Sequence, residues 1–206
     1  SSPAAGDWGS IQFLDESTDA SFSGSSYSSG SIMEYCIVEY AENLYIYRSR
    51  PFIHYSEFRY NSVAGIKVYN DDSSDSDLLV TNCDIHNNTV GITCYSYNNT
   101  VFSHNTVYSN SPKGGIDADY GATYSYNTIR NNIFSDNPDR GAGGIYVGSS
   151  NTSLDHNIII NNSVPDGGSR RASGLYINRG GNINDNIISN NTGASGRAVY
   201  VDDNQD

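Results

Sequence analysis

One nine-residue pattern recurs along almost the whole chain and constrains its fold more than any other feature. The pattern is hydrophobic-x-x-Asn-x-hydrophobic-x-x-Asn, and seven copies lie at 32–40, 53–61, 80–88, 102–110, 129–137, 154–162 and 183–191. A second short apolar unit follows each copy, at 44–46, 65–68, 91–94, 115–118, 144–147, 174–177 and 198–201. The copies start 21 to 29 residues apart, and such a period is typical of solenoids, in which each repeat buries its apolar side chains against the next.

Each repeat holds about three very short segments with alternating apolar positions, as β-strands do. Ile and Tyr, which favour strands, supply most of the apolar bulk, whereas Leu and Met are scarce. The sequence therefore predicts an all-β, right-handed parallel β-helix of about seven regular coils plus an irregular N-terminal cap coil. We expect one domain, with the cap coil over 1–31, the repeat coils over 32–201 and a tail over 202–206. Since no capping element follows the last strand, we also expect a longer protein with a further domain beyond the C-terminal end.

The fourth and ninth positions of the pattern predict two ladders of stacked corner residues. Asn tolerates left-handed backbone and can hydrogen-bond along a stack. The fourth position reads Tyr35, Ser56, Cys83, Asn105, Asn132, Asn157 and Asn186. The ninth reads Tyr40, Asn61, Asn88, Asn110, Asn137, Asn162 and Asn191. We expect these side chains to hold the corners rather than to bind ligands.

Composition excludes several classes of protein. The formal net charge is −12, from 11 basic and 23 acidic side chains, which argues against nucleic acid as a partner. No stretch is long and apolar enough to predict a membrane span. The three cysteines, Cys36, Cys83 and Cys94, form neither a CxxC pair nor an even set, so no disulfide framework or zinc site is predicted. We expect Cys83 and Cys94 to be packed thiols.

The repeats, together with the segments DWGSIQF and SIMEYCIVEYA near the start, resemble a known family. They are similar to the right-handed parallel β-helix repeats of carbohydrate-active proteins, and most similar to the disaggregatase-related cell-surface β-helix domain. The resemblance implies an extracellular or cell-surface protein that binds and cleaves an acidic, uronic-acid-containing polysaccharide as a glycoside hydrolase. The paired-Asp and Gly-His-Gly signature of polygalacturonases and the Asp-Pro-His signature of alginate epimerases are absent.

In related β-helix enzymes the sugar cleft lies at the corner between the ninth position and the next apolar unit, so the resemblance implies that the loops at this corner form one wall of such a cleft. They leave from the same corner of successive coils and lengthen toward the C-terminal half, at 89–91, 111–115, 138–144, 163–174 and 192–198. Six of the eleven basic residues lie there or on an adjoining strand, namely Lys67, Lys113, Arg140, Arg170, Arg171 and Arg197. Such a strip suits a carboxylate- or sulfate-bearing polymer. The alternative is that these side chains are solvated or pair with Asp139 and Asp166.

The outward positions of the following strands predict a tyrosine-rich face. They read Tyr45, Lys67, Thr93, Asp117, Tyr146, Tyr176 and Tyr200, with Tyr47, Tyr69, Tyr95 and Asp119 two residues later. Tyr faces stack on sugar rings while their hydroxyls bond to sugar oxygens, so Tyr95, Tyr146 and Tyr176 are predicted substrate contacts. An equally weighted alternative is a ladder of tyrosines packed on one another.

Asp117 and Asp119 are the predicted catalytic residues. They point to the same face of one strand, and two residues of strand rise place them about 6.6 Å apart, a separation that suits the acid and base of an inverting glycosidase. β-Elimination from a uronate, with Lys113 or Arg140 removing the proton, is the alternative chemistry. In a further alternative the two are ordinary exposed acids, and the rod is a non-catalytic carbohydrate-binding or spacer module.

No metal or other cofactor is predicted with support from a motif. The acidic run over 70–77 holds Asp71, Asp72, Asp75 and Asp77, a weak calcium candidate without the spacing of an EF-hand. His104 and His156 share one repeat position but lie two coils apart, about 10 Å. That distance is too long for a shared metal ion, so structural roles are predicted for both.

Overall fold

A computed structural model of the chain describes residues 2–70, 78–96, 100–136, 140–166, 170–194 and 196–202. Almost all of its regular structure is short parallel strand, because each repeat turns a corner after only a few extended residues. The strands are β1 (Ile11–Phe13), β2 (Ser21–Ser23), β3 (Ser26–Ser29), β4 (Ile32–Glu34), β5 (Ile37–Glu39), β6 (Leu44–Tyr47), β7 (Phe52–His54), β8 (Glu57–Arg59), β9 (Ile66–Asn70), β10 (Leu78–Thr81), β11 (Asp84–His86), β12 (Ile92–Ser96), β13 (Thr100–Ser103), β14 (Thr106–Tyr108), β15 (Ile116–Ala118), β16 (Thr123–Ser125), β17 (Thr128–Arg130), β18 (Arg140–Ala142), β19 (Ile145–Val147), β20 (Ser153–Asp155), β21 (Ile158–Ile160), β22 (Ser163–Val164), β23 (Arg170–Ala172), β24 (Leu175–Ile177), β25 (Asn182–Asn184), β26 (Ile187–Ser189), β27 (Thr192–Gly193) and β28 (Val199–Val201).

Three parallel sheets form the faces of a solenoid. Sheet 1 is β4-β7-β10-β13-β16-β20-β25, sheet 2 is β5-β8-β11-β14-β17-β21-β26, and sheet 3 is β1-β6-β9-β12-β15-β19-β24-β28. The chain passes through sheets 1, 2 and 3 in turn, and each strand pairs with its equivalent in the next coil. The predicted all-β parallel solenoid is therefore confirmed.

The core runs along the axis between the three sheets. Strand residues alternate between inward and outward positions, and the inward ones, such as Leu44, Ile53 and Phe58, are fully buried. β1 pairs with β6 at one end of sheet 3, and its partly buried Ile11 and Phe13 pack against the core. β2 and β3 form an antiparallel hairpin in the segment before the regular coils.

Two asparagine ladders run along the corners of the solenoid, as the repeat predicts. Asn127 is representative: its amide donates to the carbonyl of Phe102 (2.9 Å) and to Oδ1 of Asn157 (3.0 Å), while its own Oδ1 accepts from the backbone N–H of Asn105 (2.9 Å). The second ladder is built in the same way by Asn61, Asn88, Asn110, Asn132, Asn162 and Asn191. Each buried amide thus satisfies backbone groups that the corner leaves without sheet partners.

The repeat alignment was wrong for two copies. Asn132 donates to Val107 and lies in the ninth-position ladder between Asn110 and Asn162. The fifth copy therefore spans 124–132 instead of 129–137, with Asn127 at its fourth position. The first copy starts one residue later than predicted, because Met33 and Val38 point inward and pair with Ile53 and Phe58.

The residue before each ladder position adopts a left-handed backbone conformation. The expectation that the ladder asparagines themselves adopt it was wrong. At the third position these residues are Tyr35, Tyr55, Asn82, His104, Tyr126, His156 and Asp185, and at the eighth they are Tyr40, Tyr60, Asn87, Ser109, Asn131, Asn161 and Asn190, all with φ between 44° and 59°. We call these positions the corner columns. Their side chains point outward, so they pack on one another along the surface.

Cys83 and Cys94 are packed thiols, as predicted. Both are buried, and burial raises the pKa of each thiol to about 12, so neither is a nucleophile near neutral pH. The third cysteine, Cys36, is exposed, and all three are free. Within the described residues there is no helix with the length and apolar character that a bilayer crossing needs.

Candidate functional site

The outward face of sheet 3 carries the predicted column of side chains in register. Parallel pairing aligns Tyr45, Lys67, Thr93, Asp117, Tyr146, Tyr176 and Tyr200. Asp117 lies in the middle of β15, so its side chain alternates outward between the inward Ile116 and Ala118. Asp119 follows directly after the strand.

A second layer covers part of this face. With the corrected alignment, the loops at 133–144 and 163–174 have the same length, and β18 pairs in parallel with β23, Arg140 opposite Arg170 and Ala142 opposite Ala172. We call this pair of strands the cover sheet. Ala142 and Ala172 pack on Tyr146 and Tyr176 in a second apolar cluster. The cover sheet forms one wall of the site, where a loop wall was predicted.

A cavity of about 290 Å³ lies between the cover sheet and the outward face of β15. Five predicted residues line it: Lys113, Asp117, Asp119, Arg140 and Tyr146. The repeat alignment brings Asp117 and Tyr146 into one column, and the equal loops bring Arg140 over them. Both predicted catalytic acids thus share a cavity with two predicted substrate-binding cations.

The electrostatics of the cavity distinguish its carboxyl groups. Burial, together with the negative charge of Asp119, raises the pKa of Asp117 to about 6, although Lys113 opposes the shift. Lys113 Nζ lies 3.6 Å from Asp136 Oδ2, a third carboxylate on the cavity wall. A half-buried carboxyl group of raised pKa beside a more exposed carboxylate is the arrangement that acid–base catalysis needs.

A second cavity, of about 320 Å³, adjoins the first. The two share Asp119, Arg140 and Tyr146, so they lie side by side, and we call them together the Asp117 groove. The second part is lined further by Tyr95, Tyr120, Asn178 and Arg179 among others. Burial raises the pKa of the Tyr146 hydroxyl, and the nearby charge of Arg140 opposes that shift.

Other predicted substrate-binding residues lie outside the groove. Lys67 Nζ lies 5.7 Å from the centre of the Tyr45 ring. The guanidinium carbon of Arg197 lies 4.7 Å from the centre of the Tyr200 ring. Arg170 Nε lies 3.7 Å from Asp202 Oδ2. Arg171 is buried, 5.4 Å from the centre of the Phe134 ring. Only Lys113 and Arg140 of the six predicted cations therefore line the groove.

The tyrosines mostly pack on one another, which was the alternative interpretation. Tyr95 stacks on Tyr69 with ring centres 4.8 Å apart and planes 3° from parallel, and on its other side Tyr120 lies 4.0 Å away. Tyr176 is fully buried beneath the cover sheet, and its hydroxyl donates to Asp202 Oδ2 at 2.8 Å. The ring of Tyr176 therefore has no face open to a sugar, which corrects its prediction as a stacking residue. Tyr95 lines the second cavity of the groove.

Sequence reasoning missed several groove residues, among them Phe134, Asp136, Tyr120 and Arg179. Phe134 and Asp136 fell within the misaligned fifth copy. The equal length of the loops at 133–144 and 163–174 was the signal that would have assigned both residues to a loop instead of a coil. Tyr120 and Arg179 each lie two residues after the end of a strand of sheet 3, so their loop positions carried no repeat signal. The calcium candidate Asp71, Asp72, Asp75 and Asp77 lies outside the described residues.

A family model described as the right handed beta helix region matches residues 17–107 and 72–206. The chain belongs to the right-handed β-helix family. This agrees with the predicted handedness and with the three parallel sheets. Searches of curated proteins and of solved structures find no match to the chain.

Proposed function

We propose that the chain binds an acidic polysaccharide in the Asp117 groove and hydrolyses its glycosidic bonds. The observation that carries this proposal is the convergence of Asp117, Asp119, Lys113 and Arg140 on one cavity. Right-handed β-helix domains are often carbohydrate-related, which supports the assignment without fixing it, because a fold hosts many functions. The proposal includes an extracellular or cell-surface setting, where such a glycan matrix is found.

Asp117 serves as the general acid. With a pKa of about 6, it keeps a substantial protonated fraction in mildly acidic solution and can donate a proton to the glycosidic oxygen as the bond breaks. Asp119 is exposed and its negative charge faces the same cavity. It serves as the base that activates a water molecule on the opposite side of the sugar, the division of roles found in inverting glycosidases.

The cations of the groove favour an anionic substrate. Lys113 and Arg140 line the same cavity as the two carboxylates, and Arg179 extends the positive charge into the second cavity. Guanidinium groups bind carboxylates through paired hydrogen bonds. Because the protein as a whole carries a net charge of −12, a local cluster of cations is needed to bind a polyuronate against the general repulsion.

Hydrolysis fits this groove better than elimination does. Elimination needs a neutral base near the sugar, and a guanidinium such as Arg140 stays protonated. Lys113 Nζ lies within ion-pair distance of Asp136, so it is already engaged by a carboxylate. A raised-pKa acid beside a second carboxylate is instead the pair that hydrolysis uses.

Incubation with a panel of uronate-containing polymers, followed for reducing ends and for ultraviolet absorbance of unsaturated products, tests the proposal. We expect reducing ends without unsaturated products, and loss of activity in Asp117→Asn. The matched control is Asp15→Asn, an exposed acid outside the groove, which should retain full activity. Unsaturated products would overturn hydrolysis in favour of elimination. Retention on the polymers without any product would make the chain a binding module, and full activity of Asp117→Asn would remove that residue from the mechanism.

A further inference from the structure

A second group of chemically reactive side chains lies at a corner between sheets 1 and 2, in two successive coils near the C-terminal end. Asp155, His156 and Asp185 each bring one ligand atom to within 4.8 Å of the other two. His156 Nδ1 lies 2.9 Å from Asp155 Oδ2. None of the three residues lines the Asp117 groove.

The corner columns explain why these residues meet. His156 and Asp185 occupy the same third-position column in successive coils, both in left-handed backbone, so their side chains project side by side. Asp155 ends β20 directly before His156. The ring of His156 also stacks on Tyr126 of the preceding coil, with centres 5.0 Å apart and planes 24° from parallel, which limits the directions in which its nitrogens point.

Asp185 is the one acidic residue in the third-position column. The other six third-position residues are neutral or aromatic: Tyr35, Tyr55, Asn82, His104, Tyr126 and His156. The carboxylate oxygens of Asp155 and Asp185 lie within 4.8 Å of each other, so the two carboxylates repel each other unless a positive charge lies between them. Within the described residues, no lysine or arginine forms an ion pair with Asp155 or Asp185.

We propose that Asp155, His156 and Asp185 bind a divalent transition-metal ion of the Zn²⁺ type. Imidazole nitrogen with carboxylate oxygen is a donor set that suits such ions, whereas Ca²⁺ and Mg²⁺ take oxygen ligands. Donors at about 2.0–2.2 Å from one ion lie less than about 4.4 Å apart, so small side-chain rotations complete the set. Three protein ligands leave a coordination position open at the surface for water or for another ligand.

Titration of the chain with Zn²⁺ in a calorimeter, and with Co²⁺ by visible absorbance, tests this site. We expect one tight site, unaffected by excess Ca²⁺, and weakened binding in Asp185→Asn and in His156→Tyr. Loss of an outer-shell partner alone costs about 10–100-fold in metal affinity, so loss of a ligand should cost at least as much. Asn and Tyr already occupy this column at Asn82 and Tyr126, so both variants keep the backbone that the corner needs.

His104→Tyr is the matched control. His104 lies in the same column and stacks on the opposite side of Tyr126, at 5.2 Å, but its neighbours Ser103 and Tyr126 are not carboxylates. Its replacement should leave the Zn²⁺ affinity unchanged. Absence of Zn²⁺ binding, displacement by Ca²⁺, or an equal loss in His104→Tyr and His156→Tyr would each overturn the site.

Discussion

Replacement of Asp117 by Asn should stabilise the protein near neutral pH and leave its stability almost unchanged in acid. The carboxyl group has a pKa of about 6 in the folded protein, against an ordinary value of 3.8, chiefly because it is buried. The folded state therefore binds more protons than the unfolded state between these two values. Unfolding free energy accordingly falls as the pH rises through this window, and above it the burial of the charge costs its full amount.

The size of the effect follows from the two pKa values. The difference between about 6 and 3.8 corresponds to about 3 kcal/mol, at 1.36 kcal/mol for each pKa unit. Because the side chain of Asp117 keeps some exposure to solvent, solvent screens part of this cost. We expect the free energy of unfolding of Asp117→Asn to exceed that of the parent protein by about 2 kcal/mol more at pH 7.5 than at pH 4.

Urea unfolding of both proteins across this pH range measures the effect, with Asp15→Asn as the control for loss of one negative charge. Asp15 is exposed and lies outside the groove, so its replacement removes one carboxyl group without changing the buried site. A stability difference for Asp117→Asn that does not grow between pH 4 and pH 7.5 would refute the buried, raised-pKa carboxyl group. It would thereby remove the physical basis for a general acid in the groove.

Two further predictions address the ladder and the groove. Asn127→Ala leaves the Phe102 carbonyl and the Asn105 N–H buried without partners, so urea denaturation should show an unfolding free energy lower by about 3–5 kcal/mol. Asn131→Gly, at an exposed left-handed corner, is the control and should change the unfolding free energy little. Equal effects of the two substitutions would contradict the role of the ladder. Arg140→Gln should weaken polyuronate binding about tenfold or more, as measured by affinity electrophoresis. Arg170 is the partner of Arg140 in register on the cover sheet, and Arg170→Gln should change the affinity less than about twofold. Equal losses in the two variants would place binding outside the groove.

The register of the three sheets could be predicted from the sequence because each coil repeats its apolar positions. The outward column from Tyr45 to Tyr200 could be aligned strand by strand, and it correctly set Asp117 beside Tyr146. The misplaced fifth copy shows where a pattern alone fails. Its two apolar positions lie five residues apart, so Ile129 fits either of them, and only the ladder bonds of Asn127 and Asn132 decide between the alignments.

Features that depend on contact between different columns could not be predicted from the repeat. The cover sheet arises from pairing between two loops, which a coil-by-coil alignment does not compare. For the same reason the cluster at Asp155, His156 and Asp185 was missed: the histidines were compared only with each other, at two coils' distance. Burial of Tyr176 likewise followed from the cover sheet, which no single strand encodes.

The cover sheet also limits how this protein can evolve. Loops that leave a solenoid usually accept insertions one at a time, because each bulges into solvent without affecting the next coil. Here Arg140 and Arg170, and Ala142 and Ala172, must stay opposite one another for the two strands to pair. A single inserted residue in one loop would shift every side chain of that strand to the other face, so a change of length in either loop is tolerated only when the other loop changes with it.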